Sequence, residues 1–328
     1  MKICTIGNGL IVPWFLDAVK KVDGVEVIAA CGRARSEDKL RAMAAKYEIP
    51  LVYLDMETML KNPEIDTVYV GISNHVHYAY ARQALLAGRN VIVEKPFTAS
   101  LPQAKALADL AREKGLFLFE AAPNRYFPTT LKMKELLPRI GTPRLAVLNY
   151  SQYSSRYDRF KKGEIAPVFN PEMAGGSLVD LGIYNIYLLL ALFGEPDKVF
   201  YHANIVRGID TSGVLVLEYP RMRCICAAAK DCGAPTTISI QGDEGYMFSP
   251  CAANTIESFD LVLNSGEKES YTLNSWDMRM VHQIVAFRDM VEAGDHALCE
   301  ERLKVSLAAM KILDEARTQA GLFMDFQA

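Results

Sequence analysis

The chain has 328 residues, 50% of them hydrophobic and 23% charged, with a formal net charge of -3. This is a globular composition that rules against disorder, and the length exceeds what one hydrophobic core usually serves, so two domains are expected. The charge balance offers no basic field for nucleic acid and no window reaches the roughly 18 apolar residues of a membrane span, so neither is an expected partner.

From Met1 the chain runs through Lys2-Ile3-Cys4-Thr5-Ile6 straight into a glycine-rich turn. A charged segment, apolar stretch and cleavage site in the order of a secretory leader are not found there, and a cytoplasmic protein is expected. The seven cysteines are odd in number, form no Cys-x-x-Cys pair and sit mostly in apolar runs. They read as reduced, buried thiols. Cys224 and Cys226 would share one face of a strand, but no further ligands stand at metal spacing, and no metal site is expected.

Apolar bursts at residues 3–6, 25–30, 51–53, 67–72, 91–93 and 116–119 alternate with helical patterns at 13–21, 37–47, 57–60, 76–87 and 101–114. Strands alternating with helices in this way predict a doubly wound, parallel, dinucleotide-binding sheet. The turn after the first strand is Gly7-Asn8-Gly9-Leu10-Ile11-Val12, with Pro13 in the first helical turn. Two glycines there permit a tight turn and close approach of a pyrophosphate to a helix N-terminus, which makes residues 7–11 candidate cofactor contacts. Val12 stands where a third small residue is usual and should hold the helix away from the sheet.

The second strand ends Ala30-Cys31-Gly32-Arg33, with no acid to accept hydrogen bonds from an adenosine ribose. Gly32 offers no side chain and Arg33 offers a guanidinium suited to a 2′-phosphate, so NADP is expected in preference to NAD. Val91-Ile92-Val93 then reads as a strand buried on both faces, and Pro96 ends it. Lys95 is thereby presented at the carboxyl edge of the sheet, where ligands bind in such folds. The first domain is assigned residues 1–120. The remainder, 121–328, follows from Ala121-Ala122-Pro123-Asn124-Arg125 after the last strand of that pattern.

In the second half, strands are predicted at 145–152, 199–206, 213–219, 223–229, 236–240, 245–248, 258–263 and 269–273. Turns are predicted at Gly208-Ile209-Asp210, at 242–245 and at 264–266. Helical spacing returns at 277–292 and 301–320. The fold class expected is α/β, an N-terminal doubly wound Rossmann sheet followed by an α+β domain built on an open, mostly antiparallel sheet.

The Gly-x-Gly turn, Ser73-Asn74-His75-Val76-His77, Glu94-Lys95-Pro96 and Gly175-Gly176-Ser177-Leu178-Val179-Asp180-Leu181-Gly182-Ile183-Tyr184 together resemble the glucose-fructose oxidoreductase, inositol dehydrogenase and rhizopine-catabolism (Gfo/Idh/MocA) family over nearly the whole chain. The family pattern has histidine at the position of Tyr184 and an acid at that of Tyr187. Tyrosine resembles the branch with glucose-fructose oxidoreductase and dimeric dihydrodiol dehydrogenase. The resemblance implies a nicotinamide cofactor touched also by Ser73, Asn74, His77, Glu94 and Lys95. It further implies a C-terminal helix packed back on the first domain, and a homodimer or homotetramer formed through the second sheet.

Oxidising a secondary alcohol sends a hydride to nicotinamide and a proton to a base. Tyr184 is the candidate base. A tyrosine needs nearby positive charge to exchange a proton at neutral pH, and Lys95 would supply it. Asp180, four residues before Tyr184 on the same helical face, would orient Lys95 or a substrate hydroxyl. Arg125, Tyr153, Tyr157 and Asn170 are candidate contacts for a polyhydroxylated, carbohydrate-like substrate. The expected activity is hydride transfer on a sugar, cyclic polyol or vicinal diol. The competing expectation is a catalytically silent dinucleotide-binding regulator, since fold does not fix function.

Overall fold

The computed structural model describes residues 1–322 and Phe326, the side chain of Trp276 aside. The chain divides into two compact units, residues 1–121 and 280–307 with Phe326 in one, residues 122–279 and 308–322 in the other.

The first unit holds β1 (Lys2–Ile6), α1 (Ile11–Val19), β2 (Glu26–Cys31), α2 (Glu37–Tyr47), β3 (Leu51–Tyr53), α3 (Met56–Leu60), β4 (Thr67–Val70), α4 (His77–Leu86), β5 (Asn90–Glu94), α5 (Leu101–Lys114) and β6 (Leu118–Ala121). Its six strands lie in the order β3-β2-β1-β4-β5-β6, all paired in parallel. This is the doubly wound order, which reverses direction between β1 and β4 and leaves a crevice at their carboxyl ends. Phe15 on α1 stacks on Tyr69 of β4 with ring centroids 3.7 Å apart. Phe119 of β6 stacks on Phe287 of a later helix at 4.4 Å.

The second unit holds α6 (Pro128–Leu136), β7 (Pro143–Ser151), α7 (Tyr157–Lys161), α8 (Ile183–Phe193), β8 (Lys198–Val206), β9 (Ile209–Glu218), β10 (Arg223–Ala229), β11 (Thr237–Gly242), β12 (Gly245–Ser249), β13 (Ser258–Leu263) and β14 (Lys268–Thr272). Two further helices follow, α9 (Val281–Ala293) and α10 (His296–Gln319). The eight strands form one sheet in the order β14-β13-β12-β11-β7-β10-β9-β8, antiparallel except where β10 runs parallel to β7. Strand alternation explains its two faces. Leu215, Cys226, Leu148, Ile238 and Met247 point into the core. Phe200, Val216, Ile225, Val147, Ser239 and Phe248 pair across successive strands and therefore lie in one row on the other face.

Two expectations are corrected here. The turn between β8 and β9 is Arg207-Gly208, both with positive φ (54° and 75°), as a two-residue hairpin demands, so Ile209 and Asp210 belong to the strand. One helical stretch, Pro171–Phe193, is long and apolar enough by composition to cross a membrane. It is 83% buried inside the fold, as core helices are.

Candidate active site

In the first unit three neighbouring strands each give way to a glycine. Gly7, Gly32 and Gly71 follow β1, β2 and β4, and their amides continue the ladder to Cys31, Tyr53 and Ile6 carbonyls at 2.9, 3.0 and 3.0 Å. Gly7 has φ +108°, and a Cβ there would collide with the Gly71 carbonyl. Gly71 falls inside the stretch 67–72 that the apolar pattern predicts as strand, whereas β4 ends at Val70. The glycine makes room first for the Tyr69 ring, whose Cε1 lies 2.7 Å from where a Gly71 Cβ would stand, and then for the fully buried Val12, whose Cγ2 lies at 3.0 Å. The small residue missing from the helix is supplied by the strand beside it.

Gly9 is different from every other glycine. Of the 21 in the chain it alone has neither a positive φ nor any atom within 4 Å of a built Cβ. Neither backbone nor packing calls for glycine there, which leaves approach of a ligand to the main chain as the physical demand. Val12 donates its amide to the Gly9 carbonyl at 3.2 Å as α1 begins, with Ile11 its first residue and Leu10, 75% exposed, before it. Asn8 Nδ2 donates to the Ser36 carbonyl at 3.4 Å, tying this turn to the loop after β2. A pyrophosphate fits such a cradle, the Gly7–Ile11 turn at a helix N-terminus.

Arg33 is exposed directly after Gly32, and a Cβ on Gly32 would press on Leu40 Cδ2 at 3.0 Å, so that glycine serves the packing of α2. His75 titrates below its ordinary range, first through burial and then through the positive charge of Arg33. Ser73 precedes the short turn Asn74–Val76 in extended conformation.

Glu94 ends β5 and is 6% exposed; Tyr69 Oη donates to its Oε1 at 2.7 Å and the Lys95 amide donates to its Oε2 at 3.2 Å. The carboxylate thus fixes the backbone from which Lys95 projects. His77 departs from expectation. It is fully buried, its Nδ1 is 2.9 Å from the Pro96 carbonyl and its Nε2 is 3.1 Å from the Ile72 carbonyl, and burial lowers its pKa. The ring braces the loop behind Lys95 and has no surface to offer a cofactor.

In the second unit the glycine pair makes room for protein. A Cβ on Gly175 would stand 2.7 Å from the Pro167 and Val168 carbonyls, and one on Gly176, at φ +119°, would collide with Asp210 Oδ1. Asp210 is 2% exposed, and its Oδ2 accepts from the Leu178 amide at 2.7 Å and from Tyr201 Oη at 2.8 Å. Burial pushes its pKa up to about 6, against the lowering effect of those hydrogen bonds and of Arg317. The buried carboxylate anchors the wide π-helical turn Leu178–Gly182, which runs into α8. Such turns occur often at functional sites.

Asp180 lies in that turn, and Lys230 Nζ donates to its Oδ2 at 2.5 Å. Lys230 was missed by the sequence reading, although the signal used for Lys95 applies to it equally: a lone lysine directly after an apolar strand. Tyr184 is 8% exposed; its ring lies 6.2 Å from that of Tyr150, and its carbonyl accepts from Asn124 Nδ2 at 2.9 Å.

The expected substrate contacts are dispersed in role. Arg125 is buried at 3% exposure, with its guanidinium 5.8 Å from the Tyr126 ring centre and 5.9 Å from that of Tyr187. Tyr153 is exposed, donates to Asp158 Oδ1 at 2.7 Å and meets Tyr157 edge-on at 5.7 Å. Tyr157 also packs on Phe160 and Phe169, a small apolar cluster with Ile209. Asn170 caps the short turn Pro171–Met173 by accepting from the Glu172 amide at 2.9 Å, so its side chain serves the backbone. Among the described residues, no cluster of three or more His, Cys, Asp or Glu could hold a metal.

A doubly wound sheet whose switch point carries an open glycine turn defines a dinucleotide-binding protein, and the second unit adds a mixed sheet with a buried polar turn beneath a tyrosine. Residues 1–121 match the oxidoreductase family, NAD-binding Rossmann fold, and residues 130–248 match the GFO/IDH/MocA C-terminal domain. The chain belongs to the Gfo/Idh/MocA family of oxidoreductases. It is 28% identical over 326 residues, 98% of each chain, to scyllo-inositol 2-dehydrogenase (NADP(+)) IolU of Bacillus subtilis. It is 25% identical to trans-1,2-dihydrobenzene-1,2-diol dehydrogenase of Sus scrofa, covering 97% of this chain and 96% of that one. In fold it matches KijD10, a 3-ketoreductase from Actinomadura kijaniata solved with NADP and TDP-benzene, with a TM-score of 0.85 and 22% identity over 97% of each chain.

Proposed function

We propose that the protein transfers a hydride between NADP(H) and a secondary alcohol, or the corresponding carbonyl, of a sugar, cyclic polyol or vicinal diol. The observation that carries the cofactor part of the reading is Gly9, where neither a positive φ nor a neighbouring atom calls for glycine and a ligand's approach to the main chain supplies the reason. The enzyme is an NADP-preferring dehydrogenase, in keeping with its relatives' names and with the exposed Arg33 where an acid would hold the ribose of NAD. The polyol and diol substrates in the names of two relatives support the substrate class.

Held at the Gly7–Ile11 turn and by Arg33, the dinucleotide would supply the hydride-transfer chemistry, and the remaining work belongs to the chain. Tyr184 takes the hydroxyl proton in oxidation and returns it in reduction. Lys95 is assigned to the reacting oxygen or the nicotinamide ribose, and Asp180 accepts a hydrogen bond from a substrate hydroxyl. Arg125, Tyr153 and Tyr157 are retained as substrate contacts, and Asn170 shapes the loop that precedes the glycine pair.

Self-association belongs to the same reading. Phe200 (41% exposed), Ile225 (38%) and Phe248 (36%) lie in one row on the uncovered sheet face, and an apolar face of that kind is suited to a symmetric contact with a second copy.

Thermal-shift titration with NAD, NADP, scyllo-inositol, D-xylose and trans-cyclohexane-1,2-diol, followed by turnover assays, tests the proposal. NADP is expected to stabilise more than NAD at equal concentration, with turnover of at least one polyol or sugar. Binding of NADPH without turnover of any alcohol or carbonyl would favour the silent regulator. Light scattering showing a monomer at micromolar concentration would reject the oligomer.

A further inference from the structure

The helix α7 has five residues, far fewer than a helix needs to hold its shape unaided. It lies in a stretch, 155–165, where Tyr157 is half-buried, Phe160 is buried and every other residue is exposed. A ring and a guanidinium fasten it. Phe160 packs into the apolar cluster with Phe169 and Ile209, its ring 4.7 Å from that of Phe169. Arg207 reaches α7 from the tip of the β8–β9 hairpin. Its Nη1 donates to the Phe160 carbonyl, its Nη2 donates to the Lys161 carbonyl at 3.0 Å, and its guanidinium lies 5.2 Å from the Phe160 ring centre. Those carbonyls stand at the helix end, where the helix supplies too few donors of its own.

Arg207 holds φ +54° in the turn Arg207-Gly208. Glycine and asparagine suit that backbone and a long side chain is strained in it, so an arginine there points to work done by its guanidinium. What the clamp steadies is a pair of rings. Lys161 Nζ is 2.7 Å from Asp158 Oδ1, donates to Tyr153 Oη at 3.1 Å, and lies 5.6 Å and 5.8 Å from the Tyr157 and Tyr153 ring centres. The residue whose carbonyl Arg207 holds is thus the one that ties Tyr153 to Tyr157. From this, and resting on the function proposed above, we infer that Arg207 is a positioning residue of the substrate site: it keeps α7 wound and so keeps Tyr153 and Tyr157 aligned as one aromatic wall for the carbohydrate-like substrate. Without the clamp the wall is formed for only part of the time, and apparent substrate affinity falls by that fraction. These rings carry none of the proton or hydride chemistry, so turnover at saturation is kept.

The experiment measures kcat and KM for scyllo-inositol, D-xylose and trans-cyclohexane-1,2-diol with NADP, and limited trypsin cleavage with and without each of them, in the wild type, Arg207→Asn and Arg207→Lys. Asparagine suits the hairpin turn, so Arg207→Asn removes the clamp while the melting temperature stays at or above that of the wild type. In Arg207→Asn, KM should rise roughly tenfold, with kcat within about two-fold of the wild type and NADP affinity unchanged. Lysine can reach one carbonyl but cannot fork onto two, so Arg207→Lys should recover part of the loss. Trypsin should cut after Arg156, Arg159, Lys161 or Lys162 faster in Arg207→Asn than in the wild type, because cleavage follows the population of the unwound segment, and substrate should slow it. An unchanged KM in folded Arg207→Asn, whether or not cleavage quickens, would overturn the inference while leaving the oxidoreductase reading intact. A wild type that binds NADPH but turns over no sugar, polyol or diol would overturn the oxidoreductase reading instead, and this inference with it.

Discussion

Both units have a glycine motif among the residues assigned to function, and the two motifs answer opposite demands. In the first unit Gly9 has open space where a side chain would be, so its smallness serves something outside the chain. In the second, Gly175 and Gly176 are filled from within, by the Pro167 and Val168 carbonyls and by the Asp210 carboxylate. Motif residues of one type are therefore not all ligand contacts. The glycine pair acts at one remove: it lets a buried acid reach the Leu178 amide and so sets the turn that bears Asp180.

The largest expected effect is on the inward-facing side of this contrast. Gly176→Ala places a Cβ against Asp210 at φ +119°. A loss of roughly 3 kcal/mol or more is expected in urea denaturation, from strain and collision together. Near-native stability would mean that the Asp210 anchor is soft and the contrast overstated.

Asp210 itself gives a pH signature. Burial raises its pKa to about 6, so the folded state holds a proton that the unfolded chain has released between about pH 4 and pH 6. The stability it contributes is full below about pH 4 and is lost as pH rises through 6, by up to about 3 kcal/mol. Relative to Asp210→Asn, the wild type should lose urea resistance between pH 4 and pH 7. A difference between the two proteins that stays constant across this range would show that burial does not perturb the group.

Tyr184 extends the contrast to side chains. If it faces chemistry, Tyr184→Phe should lower kcat by roughly 10²-fold, with NADP affinity and melting temperature nearly unchanged. Wild-type kcat on a validated substrate would make it a core residue like its buried neighbour Tyr187.

The smallest effects on stability belong to the outward-facing residues. Arg33→Ala should weaken NADP binding by about 1.5 to 3 kcal/mol and NAD binding far less, since only the 2′-phosphate is lost as a partner. Gly9→Ala should change stability by less than about 0.5 kcal/mol, because no atom lies within 4 Å of the new methyl, while weakening both dinucleotides. Calorimetric titration of both cofactors on both variants reads the outcome. A Gly9→Ala protein that binds NADP as tightly as the wild type would remove the ligand-facing half of the comparison.

Much of this was legible because it is written in short-range terms. Each predicted strand lies within a few residues of an observed one, since burial on one or both faces imposes its own periodicity and glycine and aspartate mark the turns between. The exception at Gly208-Ile209-Asp210 is instructive: the sequence suggests a turn acid, whereas the hairpin closes one residue earlier and the acid goes into the core. His77 likewise carries no local sign that two backbone carbonyls will enclose its ring.

By itself the sequence determined the alternation of strands and helices, the turn that opens α1, the missing ribose acid beside Arg33, and the family resemblance. Only the tertiary structure decided that Gly71 makes room for Tyr69 and Val12, that Asp210 lies beneath the glycine pair, and that Lys230 meets Asp180 across 50 residues of chain. The reason is physical. Periodicity and turn chemistry act among residues a few positions apart, whereas a buried charge finds its partner only after the order of strands in a sheet has brought distant segments together, and no pattern along the chain records that order.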